Sequence, residues 1–175
     1  HPLNPANPYG ESKLMIEKMI KWYGECYHLP YVILRYFNVS GADSEGLIGD
    51  SKKPSQLLMQ NAVRGILGIE PFAYTCPKVD TPDGTPIRDY INVEDLIEAH
   101  ALAYDYLQHG GASQIFNIGT GQGYSVKEIV QAVERHVGGI LQQGQAVTRQ
   151  GEYAQIYADI TKATQVLGWR PKRTL

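Results

Sequence analysis

Tyr31-Val32-Ile33-Leu34-Arg35-Tyr36-Phe37 is a run of β-branched, aliphatic and aromatic residues carrying a single charge. Bounded by Leu29-Pro30 and Asn38, it reads as a strand buried on both faces, the kind that parallel sheets use. A parallel strand reaches its neighbour only through a crossover, usually a helix. Upstream, Leu14, Met15, Ile16, Met19, Ile20, Trp22 and Tyr23 recur at helical spacing between Pro8, suited to a first turn, and Tyr27. That pattern predicts Met15, Met19 and Trp22 in the core. Gln114-Ile115-Phe116-Asn117-Ile118 is a second short buried strand. Strands alternating with helices predict an α/β protein with a mainly parallel sheet.

Between these strands, residues 41–54 read as a loop and residues 55–68 as a helix stopped at Gly68. Phe72-Ala73-Tyr74-Thr75 suggests a short strand, and Thr81-Pro82-Asp83-Gly84-Thr85 a turn. Ile87 to Val93 alternates as a strand, with a helix opening near Asp95 and running to Gln108. Ser125-Val126-Lys127-Glu128 fits a capping box, a hydroxyl with a carboxylate three residues on, ahead of a helix to Val137. Ala146-Val147 suggests a strand, and Thr161 to Leu167 a short helix closed by Gly168.

The chain has 175 residues, 43% of them hydrophobic, and a net charge of −2. No basic stripe favours a nucleic-acid partner. No apolar run is long enough to cross a bilayer, and no signal-peptide pattern opens the sequence. The two cysteines, Cys26 and Cys76, have no metal spacing and read as free thiols of a reducing, cytoplasmic setting. The five histidines show no ligand spacing, so no metal is assigned.

Tyr9-Gly10-Glu11-Ser12-Lys13 places a phenol and an ammonium one helical turn apart, on one face. A phenol titrates near pH ~10. A fixed positive charge within roughly 4–6 Å favours the phenolate. Such a tyrosine can take a proton from a sugar or alcohol hydroxyl while another group takes the hydride.

The Tyr-x-x-x-Lys helix, the strand ending Arg35-Tyr36-Phe37-Asn38, and Arg88-Asp89-Tyr90-Ile91-Asn92-Val93-Glu94-Asp95-Leu96 follow in order. With Thr81-Pro82-Asp83-Gly84-Thr85 and Asn117-Ile118-Gly119-Thr120-Gly121-Gln122-Gly123-Tyr124-Ser125-Val126, they resemble the extended short-chain dehydrogenase/reductases that act on nucleotide sugars. Within that group the likeness is to the C-terminal half of the UDP-glucose 4-epimerases, over nearly the whole chain. The resemblance implies the later part of a Rossmann-like, doubly wound parallel sheet plus a smaller mixed α/β substrate domain. The expected division is residues 1–38 and 88–120 on the NAD side, and 39–87 and 121–175 on the nucleotide-sugar side.

By resemblance, Tyr9 is the base at the sugar 4-hydroxyl, and Lys13 the lysine that holds the nicotinamide ribose. Tyr36 and Phe37 fall beside the nicotinamide, and Asn38 near the diphosphate. Arg88 matches the arginine that grips the diphosphate, for which a guanidinium fork is suited. Arg149-Gln150-Gly151-Glu152 resembles a diphosphate- and ribose-contacting segment, with Arg149 and Glu152 as its charged members. Phe72-Ala73-Tyr74 lies where the family cradles uracil. Gln56, Leu57 and Leu58 replace the family's Asn-Leu pair, leaving Leu58 as a substrate contact. Tyr74-Thr75-Cys76-Pro77 departs from the family's Phe-Gly, and either Ile156 or Tyr157 is the residue that tunes sugar bulk.

The implied activity is C4 epimerisation of UDP-glucose and UDP-galactose with bound NAD, through a 4-keto sugar, in a homodimer. Another nucleotide-sugar epimerase or a dehydratase is the neighbouring alternative. The family's Gly-rich dinucleotide turn and third catalytic hydroxyl are expected upstream of His1. The chain alone is therefore expected to act at most as a nucleotide-sugar binding module, without turnover.

Overall fold

A computed structural model of the chain describes residues 2–144 and 151–174. In chain order the elements are α1 (Pro8–Tyr27), β1 (Val32–Tyr36), β2 (Asn38–Ser40), α2 (Leu58–Ile66), β3 (Phe72–Ala73), β4 (Ile87–Arg88), β5 (Tyr90–Asn92), α3 (Val93–Gln108), β6 (Gln114–Ile118), β7 (Tyr124–Ser125), α4 (Val126–Val137), β8 (Gln143–Gly144), β9 (Gln155–Ile156) and α5 (Thr161–Leu167). They form two compact units. The first comprises His1–Val39, Asp89–Gln122 and Tyr157–Leu175, the second Ser40–Arg88 and Gly123–Ile156. Among the described residues no helix is long and apolar enough to cross a membrane.

The first unit is built on the two strands the sequence marks as buried. β1 pairs with β6 in parallel, Val32 opposite Gln114 and Tyr36 opposite Ile118. Phe116 and Ile118 lie in a core with Ile91, Leu96, Ala99, Ala103, Ala163, Leu167 and Trp169. The α/β expectation with parallel pairing is therefore borne out. Burying an aromatic such as Phe116 contributes about 2–3 kcal/mol.

The last segment belongs to this same core. Trp169 is 1% exposed, and its indole N–H donates to the Asp95 carbonyl at 3.0 Å. The Asp95 carboxylate accepts the backbone N–H groups of Lys172 and Arg173, each at 2.9 Å, and the Arg173 guanidinium at 2.6 Å. Tryptophan burial and this clasp explain why residues 157–174 pack with the first unit. The sequence had suggested grouping them with residues 121–156.

The second unit is mixed. β4 lies between β7, antiparallel to it, and β9, parallel to it, while β3 pairs with β8 in parallel. Ala62, Phe72, Val130 and Leu141 form its core, with Leu58, Ile66, Tyr74 and Val133 against them. Gly65 lets α2 come close, since a Cβ there would stand 2.6 Å from Leu141 and 2.8 Å from Phe72.

Several expectations shift. The predicted helix over 55–68 is shorter, and the strand at Phe72 ends at Ala73. The strand expected from Ile87 to Val93 is broken at Asp89, which turns its side chain onto another loop. α3 opens at Val93, because the Asn92 side chain accepts the Glu94 N–H and caps it. Met15, Met19 and Trp22 are not core: they are 57%, 58% and 65% exposed. Their periodicity is that of a real helix, but among the described residues none covers that face. The capping box at Ser125 and Glu128 is present with both hydrogen bonds. Ala146-Val147 lies outside the described residues.

Candidate functional site

In the first unit the site starts at the head of α1. The Asn7 side chain accepts the Gly10 N–H at 2.9 Å, and Pro8 occupies the first turn. The helix so begun brings Lys13 back over Tyr9, its ammonium 5.2 Å from the ring centroid. The two side chains converge as their spacing predicts, and Tyr9 is 71% exposed. One turn further on, Glu17 receives both Nε and Nη2 of Arg35, each at 2.6 Å, tying α1 to β1. The hydrogen bond to Glu17 raises the Arg35 pKa against the opposing effect of burial.

The carboxyl end of β1 supplies the next residues. Tyr36 is exposed, its ring 6.3 Å from that of His100. The Phe37 N–H donates to the Ile118 carbonyl at 3.1 Å, and the Asn38 N–H to the Asp89 carbonyl at 3.0 Å. Those bonds fix the backbone and leave Asn38 exposed at the strand end. Carboxyl ends of parallel strands are where open α/β sheets bind ligands.

The second unit gathers other expected residues. Arg88 donates to Glu152 at 3.1 Å and to the Ile87 carbonyl at 2.8 Å, so two predicted charges meet. Both are largely buried, at 14% and 18% side-chain exposure. Ile156 lies opposite Arg88 in the β4–β9 pairing, whereas Tyr157 belongs to the first unit. Leu58, Phe72 and Tyr74 converge on one core. Phe72 is 3% exposed, so its ring faces inward and only its backbone can meet a base. Among the described strands β3 pairs only with β8, Ala73 opposite Gly144. Tyr74 packs edge-on against Phe72 at 5.2 Å, and its pKa is raised by burial, then by Glu134, Cys76 and Asp83. Arg149 lies outside the described residues. Among those described, no His, Cys, Asp and Glu group could hold a metal ion.

The sequence did not reveal the role of Asp89. A charge beside Arg88 suggests a strand-end ion pair, yet Arg88 turns to Glu152. Asp89 is fully buried. It accepts the Thr120 N–H at 2.8 Å, the Thr120 hydroxyl at 2.7 Å, the Gly121 N–H at 2.9 Å and the Ala158 N–H at 3.1 Å. A Cβ on Gly119 would stand 2.5 Å from its Oδ2, so that glycine is required by the close approach. The readable signal was a carboxylate interrupting an apolar alternation, followed later by a Gly-Thr-Gly loop rich in donors.

Residues 1–119 match the NAD dependent epimerase/dehydratase family. The chain is 43% identical over 172 residues to a UDP-glucose 4-epimerase of Lactobacillus helveticus, covering 98% of this chain and 52% of that one. Its fold matches UDP-glucose 4-epimerase from Brucella ovis in complex with NAD, with a TM-score of 0.88 and 40% identity over 97% of this chain and 52% of that one. It also matches the enzyme from Bifidobacterium longum in complex with NAD+ and UDP, with a TM-score of 0.86 and 35% identity over 98% of this chain and 52% of that one. The chain thus spans about half the length of the curated relatives it matches.

Proposed function

The chain belongs to the NAD dependent epimerase/dehydratase family, and from that premise we propose that the whole protein interconverts UDP-glucose and UDP-galactose at C4 with NAD as its resident cofactor. The observation that carries this reading is the Lys13 ammonium 5.2 Å from the centroid of an exposed Tyr9 ring. The residues fit a dinucleotide. An exposed phenol, a neighbouring ammonium and an exposed Tyr36 at a parallel strand's carboxyl end are the surface a nicotinamide and its ribose would meet. The Brucella and Bifidobacterium relatives, crystallised with NAD, support the same assignment.

When bound, NAD supplies the acceptance and return of the C4 hydride. Tyr9 takes the 4-hydroxyl proton as C4 becomes a 4-keto carbon, and gives it back when the opposite face is reduced. Lys13 holds its positive charge beside that phenol and would hold the nicotinamide ribose. Tyr36 and Phe37 would border the nicotinamide, and Asn38 the diphosphate of the substrate. Arg88, Glu152 and Arg149 hold the UDP, Leu58 and the Phe72-Ala73-Tyr74 segment flank it, and the hexose is left free to turn. In this reading the first unit serves the dinucleotide and the second the nucleotide sugar.

The test is conversion of UDP-galactose to UDP-glucose by the whole protein. Tyr9→Phe is expected to lower kcat about 10³-fold, within the range of general acid–base catalysis, without weakening UDP binding. Arg88→Ala is expected to weaken UDP by about 10–100-fold in calorimetry, the loss of a charge-assisted contact. A Tyr9→Phe protein with undiminished kcat overturns the proposal.

A further inference from the structure

Glu17 lies one helical turn after Lys13 and one turn before Lys21, so its carboxylate is within reach of two ammonium groups on its own helix. Its described partner is Arg35 instead. Nε takes Oε1 and Nη2 takes Oε2, each at 2.6 Å, so the fork occupies both carboxylate oxygens. The pair is 30% and 13% exposed, which shields it from solvent better than an open helix-surface pair. Gly10, Leu14, Glu17, Ile20, Lys21 and Gly24 are the partly covered positions of α1, so Glu17 sits mid-face among them. Meanwhile the Lys13 ammonium points the other way along the helix, over the Tyr9 ring.

A free carboxylate at position 17 would compete for that ammonium, because a full negative charge attracts a cation at longer range than a ring face does. It would also oppose the positive field at the phenol. We infer that Arg35 sequesters Glu17 from Lys13, making Glu17 and Arg35 a positioning pair that keeps the ammonium at Tyr9. The catalytic consequence rests on the proposed roles of Tyr9 and Lys13; the placement of the ammonium does not.

Two arms test this. The first is the crystal structure of the 175-residue chain carrying Arg35→Met. Lys13 Nζ is expected within about 4 Å of the Glu17 carboxylate and off the Tyr9 ring. The idea is overturned if Lys13 stays over Tyr9, including the case in which Glu17 turns to Lys21. The second arm is turnover by the whole protein. Arg35→Met is expected to lower kcat about tenfold with KM for the UDP-sugar within about twofold, and Glu17→Gln/Arg35→Met to recover most of that loss. A double variant as slow as Arg35→Met would mark a mere tether and overturn the idea. Where Arg35→Met does not fold, Arg35→Lys replaces it. Its point charge cannot fill both oxygens, so a smaller fall, again recovered by Glu17→Gln, is expected. Should the unaltered whole protein turn nothing over, the function reading fails and the crystal arm still decides the placement.

Discussion

Helix α1 runs for 20 residues without fully burying one of them, while α4 buries Val126, Ile129 and Val130 within 12. Both carry apolar residues at helical spacing. The difference is in what meets them. Ile129 and Val130 are 1% and 2% exposed in the second unit, and Val130 shares a core with Ala62, Phe72 and Leu141. Met15, Met19, Trp22 and Tyr23 stay open to solvent. α1 is held by its cap and the Glu17–Arg35 fork, and by the close approach of Gly24 to Tyr31, where a Cβ would stand 2.5 Å from the ring. Periodicity therefore reports that a helix has an apolar face, but not whether the same chain supplies its cover.

The sharpest way to break this contrast is to cut side chains from both helices. Ile129→Ala is expected to cost about 3 kcal/mol, the transfer and cavity terms of a buried branched side chain. Met19→Ala is expected to change stability by less than about 0.5 kcal/mol, as an exposed truncation does. Urea unfolding of the chain, followed by circular dichroism, reads both. A loss at Met19 as large as that at Ile129 would mean that α1 has a cover the structure does not show.

The same contrast explains which parts were legible in the sequence. The two parallel strands declared themselves by composition, an apolar run with no polar alternation to confuse the reading, although β1 fully buries only Ile33 and leaves Tyr36 exposed, so the expected cover on both faces is only partial. The Tyr9–Lys13 convergence followed from helix geometry alone, and the Ser125–Glu128 box from local hydrogen-bond chemistry. Asp89 and Asp95 did not declare themselves. Each carboxylate is satisfied by donors far along the chain, Thr120, Gly121 and Ala158 for one, Lys172 and Arg173 for the other. No local spacing encodes such a partner. Glu17 and Arg35 were hidden for the same reason, and Phe72 was legible as part of a strand but not as a ring turned inward.

A smaller effect separates the two helix starts. In α4 the Ser125 hydroxyl accepts the Glu128 N–H at 3.1 Å, and the Glu128 carboxylate accepts the Ser125 N–H at 2.7 Å. The Ser125 hydroxyl also donates to Asp83, which joins the cap to the 81–85 turn. Ser125→Ala is expected to cost about 1–2 kcal/mol, the upper part of the capping range. The cap bond of α1 is exposed to solvent, so Asn7→Ala is expected to cost about 0.5 kcal/mol, the lower end of the capping range. Equal losses in denaturant titrations would show that the turn adds nothing to the α4 cap.

The smallest expected effect is a pH dependence carried by that turn. Burial works against ionisation of Asp83, but hydrogen bonds from Ser125 and Thr85 and the charge of Lys127 outweigh it, holding its carboxyl below the usual range. A carboxylate with a lowered folded pKa stabilises the fold above its unfolded value, near ~3.9, and loses that contribution as pH falls through the folded one. Stability should therefore be level in this term above about pH 5 and decline below about pH 4. Asp159 is lowered as well, through the side-chain and backbone donors of Thr161, so the acid limb of the unaltered chain has more than one source. The diagnostic quantity is the difference between the chain and Asp83→Asn, measured by urea unfolding at successive pH values. Asp83→Asn should start less stable at neutral pH and converge on the unaltered chain as acid protonates Asp83 there. Parallel curves down to about pH 2 would instead assign the Ser125–Asp83 bond a strength independent of charge. The anchoring of α4 to its turn would then rest on hydrogen bonding that does not need the carboxylate's charge.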